Sequence, residues 1–110
     1  MQIDSLCMWV YHANMKAALI LHEKAVDELD NTIELEMWQL PEPTEERPHG
    51  YKYSLVYIVE GERMIGYDNA EGHGDHGHVM NKVMTYHFVN LRQLTNDFYN
   101  DIDKYKRGEL

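Results

Sequence analysis

Residues Tyr51–Val59 read as a β-strand whose two faces are both largely apolar. Tyr51, Tyr53, Leu55, Tyr57 and Val59 fall on one face, and Lys52, Ser54, Val56 and Ile58 on the other. A strand that is apolar on both sides belongs in the middle of a sheet, so the chain has to provide neighbours for it. Glu60-Gly61-Glu62 follows, and Gly61 admits the positive φ that a tight hairpin turn needs. Arg63–Asn69 then returns as the partner strand, which makes 51–69 a β-hairpin.

The same period of two recurs upstream. In Thr32–Met37, Ile33, Leu35 and Met37 alternate with Thr32, Glu34 and Glu36, the pattern of a half-buried strand. Trp38 and Leu40 extend the apolar surface, and Pro41 ends the ladder because it has no N–H. All three prolines lie in 41–50, PEPTEERPHG, a solvated surface loop whose Glu42, Glu45 and Glu46 simply face water. Residues 1–15 carry apolar side chains, Trp9 and Tyr11 among them, but no clear period. Across 15–29, Met15, Leu19, His22, Val26 and Leu29 recur at spacings of 4, 3, 4 and 3, a helical stripe that Asn14 can cap, although Ala17–His22 is also a short continuous apolar run of the kind a buried strand shows; periodicity alone favours the helix. On such a stripe His22 reads as a satisfied core histidine. Residues 70–78, AEGHGDHGH, read as irregular, and Thr85–Val89 as one more short strand. Asn90 then caps a helix with Gln93 three residues on. Leu91, Leu94, Phe98, Ile102 and Tyr105 form its apolar stripe, Lys104 and Lys106 suit its C-terminal dipole, and Gly108 ends it.

At 110 residues this is one domain, 1–110, large enough to bury a core without staples. Its longest apolar run, Ala17–Leu21, is far short of a membrane span, and Asp4 stands where a signal peptide would be basic. The lone cysteine, Cys7, reads as a small buried hydrophobe, and its isolation suits a reducing cytoplasm. Ten basic against nineteen acidic residues give a net charge of −9, which argues against binding nucleic acid through a broad basic face. It leaves room for an enzyme that touches RNA at one small site. Seven histidines make the charge sensitive to pH.

Chemistry concentrates in Tyr67-Asp68-Asn69 and Gly72–His78, a strand end running into a glycine-rich, histidine-rich segment. Three readings compete for it. His73, His76 and His78 can hold a divalent metal such as zinc, with Asp75 or Asp68 as carboxylate partner, although the spacing matches no standard zinc pattern. The segment can be a solvated polar turn. Or two imidazoles can act as acid and base without any cofactor, with Asp68 or Asp75 orienting one of them. The tyrosines at 51, 53 and 57 read as core, with base stacking the less common use of such a stripe.

The order His49-Gly50-Tyr51-Lys52-Tyr53, Gly61-Glu62-Arg63, Tyr67-Asp68-Asn69, Gly74-Asp75-His76-Gly77-His78 and Tyr86-His87-Phe88 resembles the TumE-like toxins of prokaryotic toxin–antitoxin pairs over about residues 16–106. The resemblance implies a strand, not a helix, within 15–29, paired with 32–40 across Asp30-Asn31. It implies an α+β fold: a mostly antiparallel sheet with a C-terminal amphipathic helix packed on one face. It implies a cytoplasmic type II toxin that stops growth by cutting nucleic acid, most plausibly RNA. His76 and His78 are then the acid and base, Asp75 or Asp68 orients them, and Lys52 or Arg63 meets phosphate, with Tyr51, Tyr67, Asn69 and His73 as further substrate contacts. A helix-turn-helix antitoxin from the adjacent gene is the expected partner, and self-association as a homo-oligomer is left open. The chain departs from the family at His73, where lysine is usual, and at Ser54 and Gly77, where arginine is usual. Fewer fixed cations weaken phosphate binding at neutral pH. Outside this reading stand a metal-dependent hydrolase built on the 73–78 histidines, and a non-catalytic regulatory protein whose acidic surface binds a basic partner.

Overall fold

The structure, a computed structural model, describes residues 17–70 and 72–110. Cys7 and the cap proposed at Asn14 lie outside the described residues. The strands are β1 (Ala18–Val26), β2 (Thr32–Gln39), β3 (Tyr51–Val59), β4 (Glu62–Asp68), β5 (His76–Val79) and β6 (Lys82–Thr85), followed by one helix, α1 (Leu91–Lys106). The six strands form one antiparallel sheet in chain order, β1-β2-β3-β4-β5-β6. The class is α+β and mostly sheet, as the sequence and the resemblance imply.

The hairpin at the centre forms as its residues dictate. Glu60 and Gly61 take φ of 50° and 81°, so a two-residue loop joins β3 to β4 with the handedness that matches strand twist. Tyr53, Leu55 and Tyr57 on β3, with Ile65 and Tyr67 on β4, are buried on one face and packed with Leu94, Phe98 and Ile102 of α1. The helix begins where the capping signal lies: Asn90 Oδ1 accepts from the Gln93 amide at 2.8 Å. Gly108, with φ of 72°, ends it.

Three sequence readings are corrected. Residues 18–26 are a strand, as the resemblance implies, and not the helix that the spacing suggests; β1 pairs along its length with β2 and lies at the sheet edge. His22 is therefore not a core residue. It is exposed on the face away from the helix. Residues 76–79 are a strand within 70–78, a stretch that composition reads as irregular. The last strand is 82–85, not 85–89; beyond it the chain leaves the sheet, and Tyr86 and Phe88 pack at the core margin.

The turn after β1 is tied to the rest of the domain. Asp27 accepts from the amides of Leu29 and Asn31, both at 2.9 Å, and from the Tyr57 hydroxyl at 2.7 Å. Lys106 at the end of α1 reaches Asp27 at 3.5 Å and Glu28 at 2.8 Å. Burial alone would push the Asp27 carboxyl up, but these donors together hold it below the usual range.

Candidate functional site

One face of the sheet is covered by α1, and the opposite face is left without a layer among the described residues. Strand register decides what stands on it. Partners across adjacent strands share a face, and His22↔Glu36, Glu36↔Ser54, Ser54↔Asp68, Asp68↔His76 and His76↔Thr85 are successive partners. A single polar row thus crosses all six strands, about 24 Å from end to end at ~4.8 Å per strand. The neighbouring row brings in Lys24, Glu34, Gly66 and His78.

Toward the β5 end of this row the side chains bond one another. His76 Nε2 lies 3.2 Å from Asp68 Oδ1, and His76 Nδ1 lies 3.1 Å from the Gly74 carbonyl. Both ring nitrogens thus face acceptors. Arg63 sits 3.7 Å from Asp68 and donates to His78 Nδ1 at 3.2 Å. That nitrogen is the acceptor in this contact. Gly66 makes the Arg63 contact feasible: a Cβ at this position would lie 2.9 Å from Arg63 Cδ, so the arginine stem crosses the sheet over bare backbone. The His73 ring lies beside His76, with centroids 5.8 Å apart.

Next to these groups, Glu36, Trp38, Lys52, Tyr53, Ser54, Asp68 and Ala70 line a cleft of about 260 Å³. The Lys52 ammonium lies 4.7 Å from the centre of the Trp38 ring. Lys52 and Asp68 share the cleft, and His76 joins it through Asp68. Glu36 and Trp38 carry no motif, and the β2–β3–β4 register places them beside Ser54, the position where the family usually has arginine.

The remaining sequence-predicted residues belong to the other side of the pleat. Asp75 meets neither His76 nor His78 among the described hydrogen bonds. It accepts from the Tyr53 hydroxyl at 2.6 Å and from His49 Nε2 at 3.0 Å. His49 Nδ1 accepts from the Tyr51 amide at 3.1 Å, so its Nε2 carries the proton donated to Asp75. The ring also stacks on Phe88 with centroids 3.9 Å apart. Asp75 thereby pins the start of β5 to β3, one residue before His76. Burial first, then the Asp75 carboxylate, pushes the Tyr53 hydroxyl far above the ordinary phenol range, so it stays a donor at neutral pH. The same two causes, with Asp101 and Asp97 as carboxylates, act on Tyr67 and Tyr86, whose hydroxyls bond α1. Tyr67 is a core residue under the sheet. Asn69 is 2 % exposed; its side chain accepts from the Tyr53 amide and donates to the Tyr51 carbonyl, and its own carbonyl takes the buried Arg47 guanidinium. Tyr51 lies beside His49 and Phe88. These residues build and brace the site from below. The sequence marks His49 as part of the family-like run 49–53, but its bond to Asp75 depends on the fold.

Among the described residues, the three-ligand group with metal-binding spacing is His22, Glu34 and Glu36, and not His73, His76 and His78. No helix among them is long and apolar enough to cross a membrane.

Searches of curated proteins and of solved structures returned no match. A family model described as Toxin TumE matches residues 9–106, from ahead of β1 to the last residue of α1 and including every strand of the sheet. The chain therefore belongs to the TumE toxin family, which gives it a toxin's role with an antitoxin as its counterpart.

Proposed function

We propose that this toxin is a type II toxin acting in the cytoplasm, and that it cleaves RNA on the open sheet face by acid–base chemistry at His76 and His78. One observation carries the reading: the β4–β5 register sets two imidazoles, a carboxylate and a guanidinium on the same uncovered surface beside a cleft. The reaction requires one imidazole to be neutral and the other protonated. Arg63 turns from His78 to a non-bridging phosphate oxygen, which frees His78 Nδ1. That nitrogen takes the proton of the ribose 2′-hydroxyl, and the 2′-oxygen forms a bond to phosphorus. The P–O5′ bond breaks, and the His76 imidazolium gives its Nε2 proton to the leaving oxygen. The products are a 2′,3′-cyclic phosphate and a free 5′-hydroxyl. Lys52 and Arg63 meet the charge that builds on the phosphorane oxygens. Asp68 holds the acid in place, and Asp75 acts through the backbone it anchors.

The test is incubation of purified protein with a labelled RNA, scored for fragments ending in cyclic phosphate. Full activity on an RNA whose 2′-hydroxyls are all methylated would refute the mechanism. The Gly66→Val variant probes the arginine separately. It should leave the sheet intact, because valine suits a strand, yet displace the Arg63 stem. Cleavage should fall about tenfold or more, as expected on losing one donor to a developing oxyanion.

The antitoxin is expected to be a helix-turn-helix protein from the adjacent gene. A chain at −9 speeds association with a basic partner, so raising salt from 50 mM to 0.5 M should slow the on-rate by about tenfold or more. Stopped-flow association across that range measures it, and a flat response would refute electrostatic steering.

A further inference from the structure

At the far end of the polar row from His76, the edge strand β1 sets His22 opposite two glutamates of β2. His22 Nε2 lies 2.9 Å from Glu34 Oε2 and 3.7 Å from Glu36 Oε2. One imidazole nitrogen cannot donate its single proton fully to both, yet both carboxylates turn toward it. The three ligand atoms all lie within 4.8 Å of one another. Three atoms each about 2.1 Å from a tetrahedral zinc ion stand about 3.4 Å apart, and the two observed separations bracket that value. The backbone enforces the arrangement. Glu34 and Glu36 are two apart on a strand and share a face, and register places His22 directly across from Glu36. All three side chains are part-shielded, with 23–31 % of their surface exposed. None belongs to the His76 chemistry, although Glu36 also lines the cleft.

We infer that His22, Glu34 and Glu36 form a binding site for a divalent transition-metal ion, with zinc the best match. One imidazole and two carboxylates supply three ligands and leave a fourth position open to water or to a substrate oxygen. An ion here cancels the charge of two carboxylates on a face that otherwise repels phosphate. Lys24 stands opposite Glu34 on the same face, and its ammonium is the competing cation.

The inference is tested by titrating metal-stripped protein with Co²⁺, following the visible d–d bands, and with Zn²⁺ by calorimetry. The wild type should bind one equivalent. His22→Ala and Glu36→Gln should each weaken binding by about tenfold or more, while a His73→Ala/His76→Ala/His78→Ala triple variant should bind as the wild type does. Zn²⁺ should raise the melting temperature of the wild type and not that of His22→Ala; circular dichroism confirms that each variant is folded. Two results overturn the inference: no binding at 1 mM metal, or binding that survives His22→Ala and Glu36→Gln but is lost in the triple variant. Neither readout depends on RNA cleavage, so the inference stands or falls apart from the proposed mechanism.

Discussion

His76→Ala should lower RNA cleavage by ~10²–10⁴-fold, the usual worth of a positioned acid. The fold should not change with it. The His76 side chain is part-exposed, and its bonds are to the Asp68 carboxylate and the Gly74 carbonyl. Circular dichroism and the melting temperature should therefore match the wild type. His78→Ala should fall in the same range, and the double variant should lose little more than either single one, because an acid and a base acting in one step are not additive. The pH profile makes a second demand. One imidazole has to be neutral and the other protonated, so kcat/KM should trace a bell against pH. Unreduced activity in both single variants, or a rate that climbs steadily to pH 9, would remove the imidazoles from the mechanism.

Phe98→Ala should cost about 3–5 kcal/mol of stability, the range for truncating a fully buried aromatic side chain. Phe98 is 0 % exposed and meets Tyr67 edge-on at 6.4 Å between centroids. Its ring is the middle of the α1 stripe, between Leu94 and Ile102, which are themselves 0 % and 1 % exposed. A domain of ordinary stability has ~5–15 kcal/mol to lose, so this one truncation removes a large share of it. Urea denaturation followed by tryptophan fluorescence would measure the loss. A change below about 1 kcal/mol would mean that α1 does not seal this core.

The fold was most legible where a single physical demand governed the residues. The β3–β4 hairpin has two apolar faces and a glycine turn, and α1 has a cap, a stripe and a stop. The reading failed where two demands competed. In β1 the strand lies at an edge, with nearly every residue exposed on both faces, so burial imposes no period of two and the chance spacing of Leu19, His22 and Val26 looks helical. In β5 the core-facing positions are Gly77 and Val79, and Gly77 is packed beneath the Tyr67 ring, which a Cβ would approach to 3.0 Å. A four-residue strand with glycine at one of its two inward positions and histidines at both outward ones has the composition of a loop. Tyr86 and Phe88 alternate like strand residues, yet their pull is toward Asp97 and His49, not toward a ladder. At the site, the motifs singled out Asp68, His76 and His78 but could not say which side of the pleat each would take. That depends on register, and register also separated Asp75 from the imidazoles and introduced His22, Glu34 and Glu36 as a group.

The strand order has a consequence for the chain as it leaves the ribosome. Every strand pairs with the one made just before it, so the sheet can grow hairpin by hairpin during synthesis with only short loops to close. The helix that packs on its apolar side, 91–106, is made after all six strands. At ~5–20 residues per second its 16 residues take about 1–3 s to make, and until then that side of the sheet lacks its helix. Asp68, His76 and His78 are already made by then, on the face opposite the helix. The polar face of the sheet is thus laid down before its apolar face can be sealed, and burial of that core waits on the helix.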